Sequence, residues 1–489
     1  MKYLYGASVQ GIQSFIFETN ELSDIIGASE IVEYICTKAF KEFNNIDKDN
    51  IILSAAGNIR ILVNDIKDIE QLVLKFPKYA QELAPGITIS QAVVEITNEL
   101  KKEDIITLEK KLKIQRNKIN RFSFISALGI ERSRKSGNSA ICRLKNVLED
   151  KSSILKKGKS NDTQLEKKII HKDQKFTFPR NLSDITDKNS WIAVIHADGN
   201  DLGKTIQALP TNKGVKQSLS SFSKIIENST LKAANTAFNE YIKPEVNNKK
   251  YYPFRPVIIG GDDLTVICRA DIAIHFTKSF LENFEIETSK ALLENFGTKN
   301  LKYKKITACA GIAFVKEKYP FHYAVTLAEE LCSYAKKISK EKTKEHNLKT
   351  KENKLDYVIP SIMFHKTTSS FVNSFKEIQQ RELMANASNV DFCFGPYAIE
   401  NDLRIMSSIK YLYSCIYDCN LHDFPRSGLR KWLSLLHSNE NTANQLWDRI
   451  LQINKSYKNK LEKFYYDNES RQTIAYDVLS ILSLTKGGS

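Results

Sequence analysis

The chain contains no Cys-x-x-Cys pair, and its eight cysteines are scattered. That excludes the disulfide framework on which small secreted domains depend, and it fits a reducing compartment. Cys36, Cys142, Cys268 and Cys393 stand alone. Cys415 and Cys419 lie four apart on an expected helix, where two side chains could share a metal. No neighbouring Cys/His pair completes a ligand set, so they read as small buried residues. No apolar run reaches the ~18 residues that a bilayer span requires. No signal peptide is expected, because Met1-Lys2 leads directly into a strand-like run. The expected location is cytoplasmic, with no membrane partner. Gly487-Gly488-Ser489 reads as an added tail and is set aside from fold reasoning.

What is present is an ordinary globular composition, 42% apolar and 26% charged over 489 residues. At roughly 150 residues per domain, about three domains are expected. The 72 Lys and Arg outnumber 57 Asp and Glu, giving a formal charge of +15. Such a surplus favours polyanionic partners, nucleic acid or nucleotide phosphates. A merely lysine-rich surface is the plain alternative, since much of the excess falls in two polar segments that read as flexible.

One order of elements occurs twice. Residues 2–17 begin as a strand and pass through a small-residue turn into a helical pattern that resumes over 22–43. Residues 50–64 are two apolar runs around a small-residue turn, a hairpin signature. A helix is expected over 68–83, a β-branched strand over 86–96 and a charged helix from about 99 to 120. After a polar stretch at 150–190, read as a flexible connector or insertion, the series returns. Residues 191–197 form a buried strand, 216–243 a helix, 255–269 a strand, tight turn and strand, 271–296 a helix, 305–315 a strand and 321–339 a helix. ITISQAVVEI in the first copy resembles ITACAGIAFV in the second, and SAAGNIRIL takes the place of GGDDLTVI. The fold class is therefore α+β. Two ferredoxin-like units are expected, each an antiparallel-containing sheet with helices on one face. Residues 340–356 read as a second polar linker, and 360–486 as mainly helical. The domain boundaries expected are 1–125, a connector at 126–189, 190–342, and a linker with helical domain at 343–486.

Gly260-Gly261-Asp262-Asp263 falls between two strongly apolar strands. Glycines there permit positive φ and let phosphates approach the backbone. Adjacent carboxylates repel unless a cation neutralises them, and hard oxygens suit Mg²⁺ or Mn²⁺. Taken alone, the tetrapeptide could equally be an ordinary hairpin tip. Asp198 ends the preceding buried strand. The segment Gly199, Asn200, Asp201, Leu202, Gly203, Lys204 then opens a loop before a helix, where backbone amides could cradle a triphosphate. If that strand lies beside the hairpin, three carboxylates converge, enough to hold two ions ~3.5–4 Å apart, as in phosphoryl-transfer sites. Lys336, late in the helix after the third strand, could reach the β- and γ-phosphates. For Lys336 and Lys204 alike, a solvated helix-face lysine is the plain alternative.

The set DGNDLG, GGDD, TACAGIA and AEELCSYAK resembles the Palm polymerase/cyclase domain in the large subunit of type III CRISPR effector complexes. It is more distantly similar to GGDEF diguanylate cyclases. The opening, Val9-Gln10-Gly11-Ile12-Gln13-Ser14-Phe15-Ile16, resembles that subunit's first Palm, with Gly27-Ala28-Ser29 standing for its Gly-Ser before a helix. Gly395-Pro396-Tyr397 and Phe424-Pro425-Arg426-Ser427-Gly428-Leu429-Arg430 resemble its C-terminal helical domain. The resemblance implies two Palm domains facing each other plus a helical domain, ATP as substrate and cyclic oligoadenylates as product. It implies Asp198, Asp262 and Asp263 as catalytic metal ligands for two Mg²⁺ or Mn²⁺ ions, with Lys336 on the triphosphate. Gly199 to Gly203 and Gly260-Gly261 are the expected nucleotide-binding backbone. Ser8 stands where the second copy has Asp198, and Gly57-Asn58 where it has Asp262-Asp263. The first copy is thus degenerate and is expected only to bind a nucleotide or brace its partner.

Two departures bear on function. The Palm-like strand begins at about residue 3, so no HD-type nuclease domain is expected before it. His422-Asp423 is a lone dipeptide and reads as structural. The stretch around Glu131 to Leu144 keeps only Cys142 of the family's zinc module, so no zinc is expected. The leading expectation is a cyclase making a second messenger in antiviral defence. Guide and target RNA, other effector subunits and a downstream sensor of the product are its implied partners. An inactive RNA-binding scaffold and a polymerase making linear product are the alternatives.

Overall fold

The computed structural model describes residues 2–484 apart from 44–46, 56, 98, 119–128, 145, 171–175, 187–189, 213, 247, 249, 299–300, 351–353, 369–373 and 400–404. The first unit runs β1 (Lys2–Gln10), α1 (Ile12–Ile16), α2 (Leu22–Thr37), β2 (Ile51–Ala55), β3 (Asn58–Val63), α3 (Ile66–Leu83), β4 (Thr88–Ile96) and α4 (Lys102–Arg116). Its sheet has the order β2-β3-β1-β4, antiparallel throughout. β1 sits in the middle because Leu4 to Val9 form an unbroken apolar or small-residue run that is buried along its length.

A hairpin of β5 (Cys142–Leu144) and β6 (Val147–Glu149) follows, then α5 (Lys151–Lys159) and α6 (Gln164–Ile169). The second unit repeats the first: β7 (Trp191–Gly199), α7 (Leu202–Gln207), α8 (Val215–Ala237), β8 (Phe254–Gly260), β9 (Asp263–Arg269), α9 (Ala273–Phe296), β10 (Ala308–Lys316) and α10 (Phe321–Lys349). Within its sheet, β10-β7-β9-β8 is the same permutation as in the first unit. Both units are therefore ferredoxin-like. They pack reciprocally, α2 against β8 and α8 against β2, which places the two hairpins at one shared cleft.

Several expectations need correction. The helices do not all lie on one face. Alternate residues of β1 point opposite ways: Tyr5, Ala7 and Val9 enter the main core with α2 and α3, whereas Leu4 meets Leu108 and Leu112 of α4 on the other side. The close approach needs Gly6, where a Cβ would stand 2.7 Å from Leu108. Gly311 serves α10 likewise, since a Cβ there would lie 2.0 Å from the Ala328 carbonyl oxygen.

The polar stretch at 150–190 carries two helices rather than an aperiodic connector. Lys156 is wholly buried, its ammonium 2.6 Å from Glu18 and 4.3 Å from the Phe15 ring centroid. Glu166 of α6 pairs with the buried Arg255 of β8. Charges that read as solvated thus fasten the first unit to the second. Gly27 lies inside α2, not before a helix. It admits α5, because a Cβ there would sit 1.8 Å from the Lys156 carbonyl oxygen.

Finally, residues 340–349 prolong α10 instead of opening a linker, and the region after it is not purely helical. β11 (Ser361–Lys366) pairs in parallel with β10, and a short strand over Tyr397–Ala398 pairs with β11. The rest is mainly helical, with α11 (Phe375–Ile378), α12 (Ile409–Cys419), α13 (Arg426–Leu436), α14 (Glu440–Ile453), α15 (Lys458–Leu461) and α16 (Ala475–Leu482), and it carries one small antiparallel ribbon in which Met384–Ala385 pairs with Val390–Asp391. Among the described residues, no helix is long and apolar enough to cross a membrane.

Candidate active site at the hairpin tip

β7 ends at Asp198-Gly199, and the β8–β9 hairpin brings its tip alongside. Gly260 pairs with Asp263 across a two-residue turn in which Gly261 has φ 60°, a conformation open to glycine at no steric cost. The Thr230 hydroxyl of α8 donates to the Gly261 carbonyl at 2.6 Å, fixing the tip against the helix. Gly199 is the hinge of the approach: a Cβ there would lie 3.0 Å from Asp262 Cβ and 3.1 Å from its Oδ2. As a result one carboxylate oxygen each of Asp198, Asp262 and Asp263 lies within 4.8 Å of the others.

The electrostatics of this cluster follow from its crowding. Burial, then the charges of Asp263 and Asp198, hold the Asp262 carboxyl well above the usual carboxylate range. Burial and Asp198 push Asp263 up to about 7, with Lys336 opposing. Lys336 bonds Asp198 and donates to the Gly199 carbonyl at 2.8 Å. Burial alone would lower its pKa, but Asp198 outweighs it and the ammonium is held above its ordinary value. One lysine does not neutralise three acids. The donor set is all carboxylate oxygen, partly buried and gathered at one point, which is what a hard divalent cation requires.

The loop after β7 divides its work. The Asn200 backbone N–H donates to the Thr307 carbonyl at 2.8 Å, and its side-chain Nδ2 donates to the Thr307 hydroxyl at 3.0 Å. Asn200 is buried with its Nδ2 turned to Thr307 and to Cys309 of β10, while its Oδ1 has no hydrogen-bond partner among the described residues. Asp201, in the left-handed region at φ 51°, pairs with Lys204 at 2.8 Å and Lys340 at 3.0 Å. Burial opposes them, yet these two lysines hold its carboxyl below the usual range. Leu202 is half-buried and Gly203 exposed at the start of α7.

One acid beside the cluster escapes a reading by motif. Glu329 lies seven residues before Lys336, hence on the same face of α10. It bonds Gln13 of α1, joining the two units. Burial raises it to about 7, opposed by the Gln13 bond and aided by Asp263. The heptad spacing from Lys336 was the available signal.

The first unit carries the same positions with other chemistry. Ser8 pairs with Asn58 across β1 and β3, as expected from the repeat. No acid is present, but a cation is. Arg116, about four turns into α4 as Lys336 is about four turns into α10, donates to the Ser8 hydroxyl at 2.8 Å, and Gln10 donates to it at 3.1 Å. Among the described residues, the only group of acids gathered to hold a cation is that of the second unit. Between the units lies a cavity of about 380 Å³, bounded by Gln10, Val32 and Gly57 on one side and Ile258, Gly260 and Asp263 on the other.

Known proteins share this fold. Residues 191–345 match the family model described as Cas10/Cmr2, second palm domain. A Csm1-Csm4 cassette in complex with cA3 is similar at 11% identity and TM-score 0.54, over 99% of this chain and 69% of that chain. The cassette in complex with cA4 gives 11% identity, TM-score 0.51 and the same 99% and 69% coverage. A cassette in complex with AMPPNP aligns at 13% identity and TM-score 0.47, over 69% of this chain and 53% of that chain. In alignments of the last kind this chain spans about half the length of its relative. No curated protein matches. The second unit is thus a Cas10-like palm, and the whole chain shares the α+β fold of those cassette chains.

Proposed function

We propose that the chain is a nucleotidyl cyclase that joins ribonucleoside triphosphates, ATP by resemblance, into a cyclic oligonucleotide. The observation that carries this reading is the convergence of Asp198, Asp262 and Asp263 beside a cavity between two ferredoxin-like units. A ribose hydroxyl oxygen of one nucleotide attacks the α-phosphorus of another. The new O–P bond forms as the bond from the α-phosphorus to the bridging oxygen breaks. Pyrophosphate leaves with that electron pair, and the hydroxyl proton passes to solvent. Two divalent ions held by the three aspartates would supply the charge that favours the deprotonated hydroxyl and the leaving group.

The chain's own residues position the reactants. Gly260-Gly261 and Gly199 leave room for phosphates against the backbone, and Lys336 offers its ammonium to the β- and γ-phosphates. The loop from Gly199 through Asp201 and Leu202 to Gly203 borders the triphosphate, with Asn200 bracing it from within. In the first unit Arg116 faces a hydroxyl where Lys336 faces a carboxylate. Its charge is left for a ligand, so this unit holds the second nucleotide's phosphates without metal. The Csm1-Csm4 cassettes in complex with cA3 and with cA4 support the product class, and a role in type III CRISPR defence with RNA, partner subunits and a sensor of the product follows by resemblance.

The test is incubation of the purified chain with the four ribonucleotides and Mg²⁺ or Mn²⁺, with products identified by mass spectrometry. A cyclic product is expected that is absent from the Asp262→Ala/Asp263→Ala chain, which should remain folded. Equal product from that variant refutes the site. If the chain alone is silent, the assay is repeated with RNA and partner subunits, and silence there favours an inactive scaffold.

A further inference from the structure

α10 carries Lys336, Lys340 and Lys344 on one face, four residues and about 6 Å apart in rise. The first bonds Asp198 and the second pairs with Asp201. The third borders a cavity of about 560 Å³ outside the cleft, on the β10–β11 side of the cluster. Lys204, Lys305 and Lys354 also line it. Acids answer only part of this charge. Asp201 is shared by Lys204 and Lys340, and Lys305 pairs with Glu285. Among the described residues, Lys344 and Lys354 have no carboxylate partner, and exposed Asp356 is the only other acid lining the cavity. The far wall is built, not incidental. Asn347 of α10 donates to the Leu355 carbonyl at 2.8 Å and accepts from the Leu355 N–H at 2.7 Å, holding the segment before β11 against the helix. The Lys305 ammonium lies 3.5 Å over the Tyr357 ring at the same wall.

We propose that this trough is an exit site for inorganic pyrophosphate. The proposal rests on the nucleotidyl-transfer reading, in which each new O–P bond releases one pyrophosphate. From Lys336 to Lys344 the helix rises about 12 Å, farther than the two phosphates trailing the reacting one extend. The outer lysines therefore lie beyond the bound triphosphate and take the diphosphate once the bond has broken. A graded row of cations draws a multiply charged anion away from the acid cluster.

The experiment measures pyrophosphate binding by calorimetry, without metal and at low salt, to the full-length Asp262→Ala/Asp263→Ala chain. This chain cannot turn over, so the result stands whether or not the cyclase reading does. Saturable binding is expected, weakened about tenfold or more by adding Lys344→Glu/Lys354→Glu. Lys344→Gln/Lys354→Gln, with less charge change, should fall between them. Both positions are exposed, and unchanged melting confirms folding. Absence of binding in the parent, or affinity indifferent to either pair, overturns the proposal. So does a short single-stranded RNA that needs Lys344 and Lys354 when pyrophosphate does not bind, which makes the trough a nucleic-acid groove.

Discussion

Without metal, the acid cluster should cost the protein stability, and Asp263→Asn should recover it. Asparagine keeps the shape of the side chain and removes one charge. Burial and the neighbouring Asp198 charge raise Asp263 from 3.8 to about 7. A group with a higher pKa in the folded state holds a proton that the unfolded chain has already released between those values. Stability therefore falls as pH rises from about 4 to 7, and the whole penalty stands above pH 7. A shift of that size corresponds to at most about 4 kcal/mol. The cluster keeps some exposure to solvent, so water and counter-ions reduce this, and about 2 kcal/mol is a fair expectation. Thermal melting in EDTA at pH 8 should show Asp263→Asn several degrees above the parent. At pH 4, where Asp263 is largely protonated in the folded parent and about half protonated in the unfolded chain, the gap should nearly close. Saturating Mg²⁺ or Mn²⁺ at a hundred times its Kd should stabilise the parent by about 2.7 kcal/mol and the variant by less. A variant that melts below its parent in EDTA at pH 8, or a gap independent of pH, would refute the account of the cluster as an unneutralised cation site.

Three further substitutions separate the roles of the two units. Arg116→Ala should abolish metal-free nucleotide binding or weaken it about tenfold, since a charge-assisted hydrogen bond contributes ~1.5–3 kcal/mol; Asn58→Ala should leave metal-dependent chemistry in place, and equilibrium binding with and without EDTA reads both. Gly199→Ala should lower kcat steeply with a modest loss in Tm, because the new Cβ would crowd Leu202 at 2.9 Å and drive the Asp262 carboxylate from its place; an unchanged kcat would show that the approach of loop and tip is not needed.

Much of this architecture was legible because sequence period and fold agree. Each strand of the repeat is a short apolar run bounded by small residues. The 3–4 spacing along 321–339 reported a buried stripe that the structure continues to Thr343. The three aspartates could be picked out because a carboxylate at the end of a buried strand has no structural reason to be there. What stayed hidden was contact made in space by residues of unremarkable local pattern. SIMFHK is too short to separate a parallel strand from a buried helical turn, and only pairing with β10 makes it β11. The polar stretch at 150–190 reads as solvated because charge outweighs period, whereas Lys156 and Glu166 are buried against partners more than eighty residues away in the chain. Asn200 sits in the loop that a motif assigns to ligand, yet its hydrogen bonds go to Thr307.

Arg116 shows how function can divide between two copies of one fold. In both copies a cation about four turns into the last helix reaches the end of the first strand. In the second copy it meets Asp198 within a trio of acids, so its charge is absorbed and the surplus is negative. In the first it meets a serine hydroxyl beside asparagine and glutamine, so its charge is not absorbed and the surplus is positive. Changing three residue types, Asp to Ser, Asp to Gly and Asp to Asn, thus inverts the local field without altering the backbone that carries it. On the nucleotidyl-transfer reading, one copy would gather divalent ions and the other phosphate, for one substrate pair held between the units. Such a site needs both copies, which explains why a unit without any catalytic acid retains the strand order, the hairpin and the tip glycine of its partner.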